Sequence, residues 1–114
     1  MKIQEIANII NGQVLTSGLD AGREISQAFS SDLMSDVLTR DYEDTVLITG
    51  LANLQAIRTA EMSDIGLIII ARGKEVGEEM IRLAESSDIV LIKSAYSLFR
   101  ISGLLYEAGI KPIF

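Results

Sequence analysis

The sequence contains no cysteine and no histidine. Their absence excludes disulfides, thiolate metal sites, a cysteine nucleophile and an imidazole general base. No catalytic residue and no metal site are therefore expected. Basic residues are also few, because ten Lys and Arg against sixteen Asp and Glu give a net charge of −6. An acidic chain repels a phosphate backbone, so we expect no nucleic-acid partner.

Long apolar runs are missing as well. The longest stretches without a charged residue, 6–19 and 45–57, contain Asn, Gly, Gln or Thr. Both are shorter than the ~18 apolar residues that a membrane span needs. Met1-Lys2 is followed by an amphipathic pattern instead of a continuous apolar signal segment. The sequence therefore predicts a cytoplasmic protein without a membrane partner.

Aromatic residues make up only 5% of the chain, whereas apolar residues make up 48%. The core must therefore consist mainly of Ile, Leu, Val, Ala and Met. A length of 114 residues predicts one domain that spans 1–114. Small domains leave much of their surface outside the core, so we expect part of this apolar material to face a second copy in a homodimer.

Short apolar runs rich in Val and Ile occupy 45–49, 65–71 and 88–92, and a closing run occupies 110–114. Helical patterns at 53–61, 75–85 and 95–108 separate them. This alternation is typical of a parallel sheet that is covered on both faces by crossover helices. The predicted fold class is three-layer α/β/α with a mainly parallel sheet. Pro112 lacks an N–H group, so the closing strand should lie at a sheet edge.

The first part of the chain is less regular. Apolar residues at 3, 6, 7 and 10 predict a helix that stops at Gly12 in the left-handed conformation. Residues 13–16 and 25–30 are predicted to be extended. A short helix over 33–40 should follow, with Ser31 or Asp32 as its N-cap.

Three predicted loops follow the carboxyl ends of strands, where open parallel sheets bind ligands. Glycines permit close backbone approach there, and three basic residues stand in an otherwise acidic chain. The residues expected to bind a nucleotide or a phosphorylated small molecule are Thr49, Gly50, Asn53, Arg72, Gly73, Lys74, Lys93 and Ser94. The alternative is that the glycines serve the turns and the basic side chains are solvated. Neither a P-loop nor a dinucleotide fingerprint has the spacing found here.

Two further features each have two interpretations. Asp32 and Asp36 are four residues apart, so their carboxylates could hold a divalent cation or stabilise the first turn of a helix. In the last predicted helix, Tyr96, Phe99 and Tyr106 broaden the apolar stripe. They either cover the sheet or meet a second subunit.

A family pattern extends over nearly the whole chain. Residues 46–62 read VLITGLANLQAIRTAEM, and an apolar strand and Arg72-Gly73-Lys74 follow. Gly12 with Val14-Leu15, Ser31-Asp32-Leu33 and Leu104-Leu105-Tyr106 fit the same pattern. The chain resembles the DRTGG domain, in particular its small stand-alone members. The acid-arginine pair of the family falls near Ala52-Asn53, and its threonine-glycine-glycine falls near Ala71-Arg72-Gly73, where only Gly73 is kept.

This resemblance implies a fold like that of the N-terminal domain of HPr kinase/phosphorylase, without the kinase centre. It also implies association with nucleotide-sensing CBS pairs or phosphotransacetylase domains, dimerisation, and partners in signalling or hydrogenase-related systems. The leading hypothesis is a non-enzymatic regulatory or adaptor domain that forms a homodimer and senses a ligand. The second is a small nucleotide- or metabolite-binding protein with an anion site at the strand ends. The third, a metal-dependent enzyme that uses Asp32 and Asp36, has the least support.

Overall fold

Helices and strands alternate along the chain in the computed structural model, which describes residues 1–37 and 43–114. Helices are α1 (Ile3–Ile9), α2 (Met34–Val37), α3 (Leu54–Met62), α4 (Glu78–Ser86) and α5 (Leu98–Glu107). Strands are β1 (Gln13–Val14), β2 (Gln27–Ser30), β3 (Thr45–Thr49), β4 (Leu67–Ile70), β5 (Val90–Lys93) and β6 (Lys111–Pro112). No helix within the described ranges is long and apolar enough to cross a bilayer.

The strands form one sheet in the order β1-β5-β4-β3-β2-β6. Every neighbouring pair is parallel except β1 with β5, so the predicted mainly parallel sheet is confirmed. β6 lies at the edge, and Pro112 pairs with Ala28 there. The edge position predicted from Pro112 is thus confirmed, because an outer strand does not need every N–H group for a ladder.

Helices cover both faces of the sheet. α1 and α5 pack on one face with Ile48, Ile69 and Ile92, while α2, α3 and α4 pack on the other with Leu47 and Ile68. The three-layer arrangement is confirmed. Continuous apolar runs suit β3 and β4 because all of their residues are buried. Burying one such aliphatic side chain stabilises the fold by about 1.5–3 kcal/mol.

The end of α1 differs from the prediction. Asn11 adopts the left-handed conformation with φ 49°, and Gly12 does not. The Gly12 N–H donates to the Ala7 carbonyl at 2.8 Å, the bond that closes a helix one residue beyond a left-handed cap. Gly12 is needed for space instead, since a Cβ there would lie 2.5 Å from the Ile92 Cγ2. Gly109 has φ 108° and follows Ala108, the C-cap of α5.

The bounds of other helices and strands differ from the predicted ones by a few residues. α4 begins at Glu78 instead of residue 75, because Gly77 is its N-cap with extended ψ of 157°. β2 begins at Gln27, and Ile25 before it is a buried core residue. Residues 38–40 of the predicted short helix lie outside the described residues.

Candidate functional site

The carboxyl ends of three adjacent strands meet at one border of the sheet. Thr49 of β3 pairs with Ile70 of β4, and Ile70 pairs with Lys93 of β5. The loops that follow these strands therefore start in one row. We call this border, formed by residues 49–50, 71–74 and 93–94, the carboxyl edge.

A side chain from the neighbouring strand connection occupies the carboxyl edge. The Asp32 carboxylate accepts a hydrogen bond from the Gly50 N–H at 2.6 Å and another from the Thr49 hydroxyl at 2.9 Å. Thr49 is buried, and its hydroxyl oxygen also accepts from the Leu51 N–H at 3.2 Å. The edge therefore already binds one oxyanion, and that oxyanion belongs to the protein.

Gly50 allows this close approach. A Cβ on Gly50 would lie 3.2 Å from a guanidinium nitrogen of Arg72 and 3.3 Å from a carboxylate oxygen of Asp32. Either group would have to shift to admit a larger residue. We call Asp32, Thr49, Gly50 and Arg72 the Asp32 cluster.

The pKa of the Asp32 carboxyl is held below its usual range. The hydrogen bond from the Gly50 N–H is the largest cause, and the Thr49 hydroxyl and the charges of Arg72 and Lys74 act in the same direction. Partial burial of the carboxyl opposes them. The balance shows that the surroundings of Asp32 favour a negative charge.

The loops after β4 and β5 are tied to each other. The Arg72 N–H donates to the Tyr96 carbonyl, and the Gly73 N–H donates to the Ser94 carbonyl, both at 2.8 Å. Arg72 and Gly73 are both left-handed, with φ of 65° and 63°. This turn aims their amides at the next loop, so neither amide faces a ligand. Arg72 instead offers its exposed side chain.

Ser94 and Asn53 of the predicted site have structural roles. The Ser94 hydroxyl is buried and donates to the Ile10 carbonyl at 2.8 Å, which fastens α1 to the end of β5. The Asn53 side chain accepts from the Ala56 N–H at 3.0 Å and caps α3. Lys93 of β5 pairs with Gln13 of β1, and β4 separates β5 from β3. Lys74 is exposed beyond β4.

The proposed cation pair has little support. The Asp32 carboxylate is engaged by Gly50 and Thr49, and Asp36 lies in α2, its side chain outside the part of the chain that is described. Within the described residues, no group of three or more acidic side chains could hold a metal ion.

Sequence reasoning missed three residues at this site. It assigned Asp32 to a helix cap or a cation, because nothing local indicates that the chain after β2 reaches over the end of β3. It also missed Tyr96, whose carbonyl binds Arg72, and Arg100, whose guanidinium carbon lies 3.6 Å from the centre of the Tyr96 ring. Within the helix predicted over 95–108, the four-residue separation of Tyr96 and Arg100 was the available signal, although α5 itself begins at Leu98.

No family model matches the sequence, and no curated protein matches it either. Among solved structures, the chain is similar to the CBS and DRTGG domains of the regulatory region of Clostridium perfringens pyrophosphatase, complexed with its activator diadenosine tetraphosphate. The TM-score is 0.78 at 15% identity, over 96% of this chain and 47% of the other. This chain thus spans about half the length of that structure.

This likeness shows the fold. It is consistent with the DRTGG-like domain predicted from residues 46–62 and 72–74, and it agrees with the mixed sheet and its two helical layers.

Proposed function

We propose that the chain is a regulatory domain without catalytic activity, which senses an anionic small molecule at the carboxyl edge. The observation that carries this proposal is the Asp32 cluster. One backbone N–H and one hydroxyl bind a carboxylate there, beside the positive charges of Arg72 and Lys74. A phosphate or carboxylate of a ligand needs the same donors.

The ligand oxyanion competes with the Asp32 carboxylate for the Gly50 N–H. Two like charges at one donor repel each other, so ligand binding releases Asp32 from Gly50 and Thr49. Asp32 lies two residues before α2, and Met34 and Val37 of α2 are buried against the sheet layer. Release of Asp32 therefore alters the attachment of α2, which gives the domain a structural response to its ligand.

The similar structure supports the choice of ligand class. Its regulatory region is described with diadenosine tetraphosphate as an activator, and this chain has the fold of about half of that region. We therefore propose nucleotides and phosphorylated metabolites as the class, and diadenosine tetraphosphate as one probe of it.

A thermal-shift series with AMP, ATP and diadenosine tetraphosphate tests the proposal. At a ligand concentration ten times Kd, the expected stabilisation is about 1.4 kcal/mol. For a domain of this size, that corresponds to a rise in Tm of roughly 4–6 °C. The double variant Arg72→Gln, Lys74→Gln should lose the shift. Asp32→Asn should bind several-fold more tightly, because it removes the competing charge.

The control removes two positive charges elsewhere. Lys2→Gln with Arg82→Gln changes the net charge equally, and both residues are exposed away from the carboxyl edge. This variant should keep the full shift. The proposal fails if no probe raises Tm at millimolar concentration, or if the control loses the shift as completely as the Arg72, Lys74 variant.

We also propose that the chain forms a homodimer through the exposed face of α5. Phe99 on this face is 88% exposed. Gly103 lies one turn further along the helix, and a Cβ there would meet nothing within 4 Å. In a two-fold dimer the same patch meets itself, so each Phe99 ring covers the Gly103 of the other copy.

The cellular location of this domain and its protein partner are part of the same proposal. We place it in the cytoplasm, where nucleotides and phosphorylated metabolites are available. A separate protein partner in a signalling or hydrogenase-related system receives the signal. Co-purification of a tagged chain from its own cells tests for that partner, and the Asp32→Asn variant should change the amount recovered.

A further inference from the structure

A pocket of about 230 Å³ lies between α5 and the outer strands β2 and β6. The aromatic side chains in its walls are Tyr106 and Phe114. Phe29 also borders the pocket, but its side chain packs with the cluster on the opposite face of the sheet, and its ring meets that of Phe114 edge to face at 5.6 Å. Tyr106 is 69% exposed and Phe114 is 76% exposed. We call this space the α5 pocket.

Two serines line one part of the α5 pocket. The hydroxyls of Ser30 and Ser102 are hydrogen-bonded to each other at 2.8 Å. Their mutual bond uses one of two hydroxyl hydrogens. The other can therefore donate to an acceptor on a ligand, in surroundings that are otherwise mostly apolar.

The α5 pocket is close to the Asp32 cluster along two neighbouring strands. Ser30 and Ile48 line the pocket and are paired in the sheet. Asp32 follows Ser30 by two residues, and Gly50 follows Ile48 by two residues. β2 ends at Ser30 and β3 ends at Thr49, and two residues of extended chain span at most about 7 Å. The oxyanion position and the pocket are therefore separated by the length of a short linker.

The size of the pocket limits what it holds. Sites for complete small-molecule ligands usually measure ~300–1,000 Å³, so this pocket accommodates only part of a ligand. Aromatic walls favour a planar ring, which stacks or packs edge-on against them. A hydroxyl donor at the wall adds a preference for a ring that carries a nitrogen or carbonyl acceptor.

We propose that the α5 pocket binds the aromatic ring of a ligand whose oxyanion occupies the Asp32 cluster. The ligand is then an aromatic ring with hydrogen-bond acceptors, joined to one phosphate or carboxylate by a short linker, as in a nucleoside monophosphate. This inference rests on the proposed function, since it assigns the second half of the same ligand.

Three probes separate the contributions of the ring and the phosphate of the proposed ligand. AMP carries both groups, adenosine carries the ring, and ribose 5-phosphate carries the phosphate. Each is titrated into the full ¹⁵N-labelled chain while amide chemical shifts are followed. AMP should shift amides at Ser30, Ser102 and Lys111 together with Gly50, and should bind at least tenfold more tightly than ribose 5-phosphate. Adenosine should shift only the pocket amides.

A variant that fills the pocket and a matched control elsewhere test the pocket directly. Ser102→Leu fills it, and should reduce AMP affinity to that of ribose 5-phosphate without changing the affinity of ribose 5-phosphate itself. Ser86→Leu makes the same exchange at an exposed position of α4, in the opposite helical layer, and is the matched control, which should retain the AMP affinity. If Ser102→Leu does not fold, the shift maps of the unsubstituted chain still decide the question.

The outcomes distinguish the two proposals. If AMP and ribose 5-phosphate bind equally and the pocket amides do not move, the α5 pocket proposal is wrong and the anion site stands. If adenosine moves the pocket amides while neither phosphate compound moves Gly50, the ring site stands and the anion site is wrong. Pocket amides that respond to protein concentration but to none of the three probes also overturn the ring assignment.

Discussion

Asp32 gives the carboxyl edge its present charge balance. Its carboxylate accepts from Gly50 and Thr49, and those bonds make the ionised form more favourable in the folded protein than in the unfolded chain. The pKa of Asp32 is lowered by folding, so its contribution to stability is complete above the ordinary aspartate pKa of about 4. That contribution is lost as the pH falls through the lower pKa of the folded state.

Asp32→Asn should therefore destabilise the protein in a pH-dependent way. At pH 7 we expect a loss on the order of 1 kcal/mol, because a charge-assisted hydrogen bond becomes a neutral one. The difference from the unsubstituted protein should shrink steadily as the pH falls below about 4, because Asp32 is protonated first in the unfolded chain and then, at its lower pKa, in the folded protein. Urea unfolding across this pH range, at one protein concentration, measures it.

Asp64→Asn is the control for that measurement. It removes the same charge at an exposed left-handed position with φ 57°, where Asn is as well suited as Asp. We expect a change of less than half a kcal/mol at pH 7. A loss at Asp32 that is as large at pH 2.5 as at pH 7 would contradict the role assigned to the carboxylate.

Single residues were the least predictable part of this molecule. The sequence predicted that Gly12 ends α1 in the left-handed conformation, but Asn11 has the positive φ, and Gly12 is needed for its small size beside Ile92 of β5. The sequence assigned Asp32 a role at the start of its own short helix, whereas its hydrogen-bond partners Thr49 and Gly50 are 17 and 18 residues away. Such contacts depend on strand order, which spacing alone does not specify.

At the level of elements, the helix starts at the carboxyl edge are set by side-chain caps. Asn53 accepts from the Ala56 N–H and begins α3 with extended backbone at φ −142°. Ser97 caps α5 in the same way through the Arg100 N–H at 3.1 Å. These caps satisfy amide donors that would otherwise be free to bind an anion.

Asn53→Ala should lower the free energy of unfolding by about 1 kcal/mol, because it removes the cap of α3. For a domain of this size, Tm should fall by roughly 4 °C. Asn53→Ser keeps an oxygen acceptor and is the matched control, which should stay within a few tenths of a kcal/mol of the original. Differential scanning calorimetry of the three proteins measures the effect.

The same two variants also test the prediction, made from the sequence, that Asn53 binds the ligand. Since its amide oxygen is used by α3, Asn53→Ser should bind AMP as well as the unsubstituted protein does. A large loss of AMP affinity in Asn53→Ser, with stability unchanged, would return Asn53 to the binding site.

Helices and strands could be predicted from the sequence in the second half of the chain because buried strands and covering helices alternate there. β3, β4 and β5 are apolar on both faces since helices cover both sides, and this makes continuous Val and Ile runs diagnostic. The first residue of α4 was harder to predict. Residues 75–77 have helix-forming neighbours, but Gly77 takes the cap conformation and delays the helix.

At the scale of the whole molecule, topology follows from right-handed crossovers between parallel strands. The parallel direction of β3, β4 and β5 brings their carboxyl ends to one border, as the register of Thr49, Ile70 and Lys93 shows. It does not say which outer face of the molecule meets a partner. That question depends on surface shape, and the exposed face of α5 offers the clearest case.

Burial of Phe99 in a dimer is large enough to decide association. Covering one Phe side chain stabilises by about 1.5–3 kcal/mol, and a two-fold dimer covers two of them. The sum of ~3–6 kcal/mol is a substantial part of the roughly 8 kcal/mol that corresponds to a Kd of 1 μM.

Phe99→Glu should therefore raise the dimer Kd at least 100-fold and give a monomer at micromolar concentration, whereas the unsubstituted chain should be a dimer. Native mass spectrometry and light scattering distinguish a 12.4 kDa monomer from its dimer. Met62→Glu is the control, because Met62 is 75% exposed on α3, in the opposite helical layer, and its substitution should leave the dimer intact. A monomeric unsubstituted chain, or equal dissociation by Met62→Glu, would show that the α5 face does not join two copies.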